Sequence, residues 1–225
     1  DVESRGLGDV YKRQVSNYEK LCEFWRERFL QMNLQELKEK IPGLREDEES
    51  LRITYFGEEY CIGKKDGSIK RLTGTEEIPR ERRMNIYNLF WYSKREAGFQ
   101  DRWVPFRNVK NASPFAPAFE AHVLKPFAMT FSGHLELLHQ AAQRLGGKPL
   151  PQGDAGYQVD SFACIPMRFL FWDADDEFPA QGNILFDYSV TDYIHVESTV
   201  SLAVDGLWRL AREAGLTVKG DTYGM

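Results

Sequence analysis

A chain of 225 residues, 42% hydrophobic and 28% charged, is long enough to bury a core without disulfide or metal staples, which excludes a disordered or cross-link-dependent protein. Its net charge of −5 lacks the cationic face that phosphate neutralisation needs, so no nucleic-acid partner is expected. Three separated cysteines form no C-x-x-C pair, no apolar run reaches the ~18 residues of a membrane span, and the amino terminus has no signal-peptide core. These absences point to a reduced, soluble, cytoplasmic protein without its own iron–sulfur site and with no membrane association.

Residues 1–14 resemble the translated adaptor sequence found at the ends of proteins from metagenomic assemblies. They hold almost no core-forming side chains and are expected to lie outside the folded unit, a single domain over 15–225. Ser16 and Glu19 form a capping box leading into a helical stripe of Leu21, Trp25 and Phe29. A short helix follows from Leu34 to Ile41, ending at Pro42-Gly43. Leu51–Tyr55, Glu59–Gly63 and Ser68–Leu72 alternate as strands of an antiparallel meander, with turns at Gly57 and Asp66-Gly67. Pro79 suits the first turn of a helix carrying Met84, Ile86, Leu89 and Phe90; the basic cluster Arg80 to Arg83, interleaved with acid, reads as its solvated start.

Arg102–Val109 reads as an extended segment, and Pro114–Phe131 as a helical stretch interrupted at Pro126. Leu135, Leu138, Ala142 and Leu145 mark the next helix, which Gly146-Gly147 terminates. Tyr157 and Val159 alternate with polar neighbours, Ile165–Trp172 is apolar enough for a central strand, and Asn183–Phe186 is a further strand. A last helix runs through Val200, Val204, Leu207 and Leu210 to a cap at Gly215. Strands and helices come in mixed rather than alternating order, so the expected class is α+β, with a mixed, mostly antiparallel sheet packed by helices.

Several of these segments together carry a family resemblance. Leu51-Arg52-Ile53 with Glu58-Glu59-Tyr60, Trp103-Val104-Pro105-Phe106-Arg107, Pro117-Ala118-Phe119, Val123-Leu124-Lys125-Pro126, Leu145-Gly146-Gly147, Gly153-Asp154, and Trp172 to Pro179 followed by Ile184-Leu185-Phe186-Asp187 stand in one order. In that order the chain from about Tyr18 to Leu207 is similar to the domain of unknown function 3786 family of bacteria and archaea. The family has no established activity. Some members join such a domain to a cysteine-rich iron–sulfur domain related to that of corrinoid iron–sulfur proteins. The resemblance therefore implies an anaerobic redox or corrinoid setting and an iron–sulfur or corrinoid protein as partner, since the cysteine-rich part is absent here.

Charge and burial concentrate at one place. The apolar run Phe169–Trp172 ends in Asp173, Asp175, Asp176 and Glu177, four carboxylates within five residues. Asp173-x-Asp175 has the form of the cation-holding D-x-D of nucleotide-sugar transferases, but no nucleotide-binding signature accompanies it. Phe178 stands where an EF-hand loop needs glycine. The bland alternative is a solvated turn. His134 and His139 lie about 140° apart on one helix and cannot share a metal, and His122 reads as a packed imidazole.

His195-Val-Glu197 follows Asp187 closely, and a chain that returned there to the acidic turn would gather imidazole and carboxylates for metal binding or proton transfer. The ligand-binding candidates are thus Trp172, Asp173, Asp175, Asp176, Glu177, Asp187, His195 and Glu197. Cys164 has no sequence-local base, and G-x-S-x-G, G-x-G-x-x-G and phosphate-loop motifs are missing. The expected role is an accessory ligand- or partner-binding module, with a metal-dependent enzyme using residues 173–177 and His195 as the alternative. No particular cofactor is indicated.

Overall fold

The computed structural model describes residues 19–222; the expected tail and the capping serine at position 16 fall outside them. Helix α1 (residues 19–29) turns Trp25 and Phe29 inward, one turn apart, and leaves Leu21 exposed. Helix α2 (Leu34–Lys40) is capped by the Asn33 side chain, which accepts from the Gln35 and Glu36 amides. Strands β1 (Arg45–Glu46), β2 (Ser50–Tyr55), β3 (Glu58–Gly63) and β4 (Ile69–Arg71) form an antiparallel sheet in sequence order. Alternation sends Leu51, Ile53 and Tyr55 of β2 to the core.

The β2–β3 turn is made by Phe56 and Gly57, with φ of 45° and 77°. Positive φ at both central residues matches the twist of the flanking strands, but a phenylalanine adopts it at a cost. Burial offsets that cost: the Phe56 ring is packed edge-on to Tyr55, and its amide donates to the Ser161 carbonyl at 2.8 Å. That bond stitches the first sheet to the second.

Helix α3 (Arg80–Tyr92) comes next, with Pro79 as its N-cap. The expected extended segment 102–109 is a three-residue strand, β5 (Trp103–Pro105), followed by a 3₁₀ turn over Phe106–Asn108. From Ser113 to Phe131 the chain stays helical, through α4 (Ala116–Phe119), a π turn (Glu120–Leu124) and α5 (Lys125–Phe131). The interruption expected at Pro126 therefore comes one turn earlier. Proline has no amide to donate and its ring collides with the carbonyl four residues back, and the widened turn relieves both.

Helix α6 (Leu135–Arg144) precedes β6 (Lys148–Leu150), β7 (Ala155–Phe162), β8 (Ile165–Trp172) and β9 (Gln181–Asp187). With β5 they form an antiparallel sheet in the order β5-β9-β8-β7-β6, so β8 is its central strand and Phe169 and Phe171 are buried. A short helix α7 (Val190–Tyr193) leads to α8 (Val196–Ala214), which ends on left-handed Gly215. Gly206 in α8 admits the Phe169 ring: a Cβ there would sit 2.7 Å from its Cζ. Both sheets share a continuous core, and the class is α+β with two mostly antiparallel sheets.

Candidate functional site

β8 and β9 pair in register from Met167↔Phe186 to Trp172↔Gln181, and the acidic segment is the loop that joins them beyond Trp172. Trp172 and Gln181 stand at the mouth of a cavity of about 640 Å³. Phe106 and Phe119, stacked at 4.1 Å with Phe186 edge-on to both, lie beneath it, and Leu124 of the π turn and Ala128 of α5 line it from the helical side. Gly182 is required in the wall because a Cβ there would meet Phe127 Cδ1 at 2.5 Å.

Three charged side chains rim the cavity: Arg107, Glu120 and Lys125. Among the described residues none of the three makes a side-chain hydrogen bond or an ion pair. They are exposed, as is Trp172, whose indole forms a wall. An apolar floor with a few convergent polar groups is the common construction of small-molecule sites, and π turns recur at such places. Arg107, Lys125 and the π turn were not singled out as site residues by sequence reasoning. The signal was present in Trp103–Arg107 and Val123–Pro126, segments that carried the family resemblance and that meet around this cavity.

The acidic turn is organised by its own backbone. Asp173 Oδ1 accepts from the Gly133 and Ala174 amides at 2.9 and 2.8 Å, and Asp154 accepts from the Asp173 amide at 2.8 Å. Asp175 Oδ1 accepts from the Phe178 and Glu177 amides at 2.7 and 2.9 Å, and these bonds hold its carboxyl below the ordinary range. Asp176 and Glu177 are exposed. The like charges are thus relieved by amides and solvent.

Asp187 is buried at the other end of β9, where it accepts from the amides of Gln100, Arg102 and Ser189 and from the Ser189 hydroxyl. It clasps the loop before β5 and has no free face for a ligand. His195 caps α8: its Nδ1 accepts from the Glu197 amide at 3.3 Å, and its ring lies 5.1 Å from that of Tyr92. Glu197 is exposed beside it.

The convergence expected of His195, Asp187 and the acidic turn is therefore corrected. β9 begins at the turn and runs antiparallel to β8, so its six steps carry the chain about 20 Å away before Asp187 and His195 are reached. Among the described residues no group of three or more histidine, cysteine, aspartate or glutamate side chains is placed to hold a metal ion. Cys164 is buried, and burial pushes its thiol up to about 12, far from a reactive thiolate. His122 and His139 are hydrogen-bonded, to the Asp221 carbonyl and the Tyr157 hydroxyl.

No helix among the described residues is long and apolar enough to cross a membrane. No curated protein and no solved structure matches the chain. A family model described as Domain of unknown function (DUF3786) matches residues 33–205, a span that holds both sheets and every wall of the cavity, and the chain belongs to that family.

Proposed function

We propose that this chain is an accessory module that binds a small organic ligand in the cavity beside Trp172. One observation carries the reading: an aromatic-floored cavity of about 640 Å³ is rimmed by two cations, Arg107 and Lys125, and one carboxylate, Glu120, and neither cation has a partner among the described residues. An apolar body on the Phe106–Phe119 stack with an anionic group at the two cations suits this arrangement. The cytoplasm is the proposed location, read from the separated cysteines, and an anaerobic setting next to an iron–sulfur or corrinoid protein is the context that the family resemblance suggests.

Native mass spectrometry of protein purified without oxygen, with parallel metal analysis, tests the reading. The expected result is a retained organic mass that is lost from Arg107→Gln and Lys125→Gln. Wild-type protein showing only the mass of its own chain, or variants that retain the same mass, would overturn it.

A further inference from the structure

A second site lies on the other sheet, and it is independent of the cavity beside Trp172. There the side chains of β3, β4, α3 and α8 gather four guanidiniums, Arg71, Arg82, Arg209 and Arg212, around two carboxylates, Glu58 and Asp205. Asp205 holds Arg82 at two points, 2.9 and 3.2 Å, and also receives Arg209 Nε at 3.3 Å. Glu58 Oε2 accepts from the Tyr60 hydroxyl at 2.7 Å and from Arg209 Nη2 at 3.1 Å. Among the described residues Glu58 Oε1 accepts no hydrogen bond but stands 3.7 and 3.6 Å from Arg71 and Arg212, so every carboxylate oxygen of Glu58 and Asp205 is matched by a guanidinium.

The donors are not all matched. The side chains of Arg71, Arg82 and Arg209 are only 9%, 8% and 2% exposed, against 4% for Asp205 and 21% for Glu58. Glu76 also reaches Arg71, but it is 81% exposed and screened by water; Glu213 reaches Arg212 from the rim. Among the described residues, Arg209 Nη1 and Trp208 Nε1 are buried N–H groups with no acceptor; so is Arg71 Nε, which does not line the cavity that Arg209 and Trp208 share. A guanidinium cannot shed its proton to relieve burial, so an excess of buried cations and unmet donors calls for an anion.

Arg82, Arg209, Arg212 and Trp208 line one cavity of about 400 Å³, together with Pro79, Leu216, Thr217 and Asp205, whose carboxylate is already engaged by Arg82 and Arg209. We infer that this cavity is a binding site for a small oxyanion, a carboxylate or phosphate group, held by the arginines of α3 and α8 while its body packs on Trp208. Planar guanidiniums match both groups through paired hydrogen bonds.

Titration calorimetry and thermal melting with inorganic phosphate and with benzoate test this, with sodium chloride at equal ionic strength as reference. Arg212→Gln removes a side chain that is 52% exposed, so the fold is expected to survive, and Trp208→Phe keeps the ring while removing the indole donor. Arg95→Gln, at an exposed charge elsewhere, is the control. The expected result is a saturable isotherm with at least one probe, weakened tenfold or more by Arg212→Gln, weakened by Trp208→Phe, and unchanged by Arg95→Gln. Saturation by phosphate alone assigns the site to phosphate groups; saturation by benzoate assigns it to carboxylates with an apolar body. Failure of both probes, a melting shift no larger than that in sodium chloride, or equal binding by Arg212→Gln would overturn the inference.

Discussion

Arg82 on α3 and Asp205 on α8, 123 residues apart in sequence, meet in a two-point ion pair inside the protein. Arg82 also donates to the Tyr60 hydroxyl at 3.1 Å, so one guanidinium joins two helices to the first sheet. Removing one member of such a pair leaves the other charged and buried, which costs more than the pair itself contributes. Asp205→Asn is expected to lower unfolding free energy by roughly 3–5 kcal/mol, read by urea denaturation. A loss below about 1 kcal/mol would mean that water reaches Arg82.

Glu58 makes the same cluster sensitive to acid. Burial alone would raise its carboxyl, but the Tyr60 hydroxyl and Arg209 outweigh that and bring it from 4.5 to about 2. A depressed folded-state value means stability that is complete above pH 4.5 and is lost as pH falls toward 2. The stability difference between wild type and Glu58→Gln should be largest above pH 4.5 and shrink as the pH approaches 2. A difference that does not change over that interval would place the carboxylate outside the network.

Phe171, fully buried on the central strand β8, packs with its ring 5.8 Å from that of Phe127. Phe171→Ala should cost roughly 3–5 kcal/mol through lost transfer energy and the cavity left behind. A near-neutral result in chemical denaturation would contradict the placement of this side chain in the core.

Cys164 offers a chemical check on burial. Its enclosed position and a thiol raised to about 12 should leave it unmodified by iodoacetamide in the native protein, while the partly exposed Cys61 reacts first and Cys22, partly exposed but with a thiol also raised by burial, reacts more slowly. Peptide mapping after a timed exposure distinguishes the three, and early labelling of Cys164 would show that the start of β8 opens.

Gly206 tests the seam between α8 and the second sheet. Alanine is the better helix former by about 1 kcal/mol, yet its Cβ would press on the buried Phe169 ring at 2.7 Å. Overpacking is expected to win, with a net loss of about 1–2 kcal/mol. A stabilised Gly206→Ala protein, measured by thermal melting, would mean that the ring can step aside.

Sequence by itself determined what depends on neighbours along the chain. The alternation of Leu51, Ile53 and Tyr55, the turn at Gly57, the helical stripe ended by Gly146-Gly147 and the Gly215 cap are local signals, and each element stands where they indicate. The apolar run before Trp172 is a central strand because only full enclosure suits such a run. Tertiary structure decided everything that depends on direction and pairing. Because β9 runs antiparallel to β8, it separates His195 from the carboxylates that sequence proximity had grouped with it. Because α3 packs on α8, Arg82 lies buried against Asp205 instead of forming a solvated helix start. Helical spacing groups Asp205 with Arg209 on α8, but Arg82 reaches them from α3, and Arg107 meets Lys125 from another segment, so the full set of charges at each cavity depends on segments that are distant in the chain.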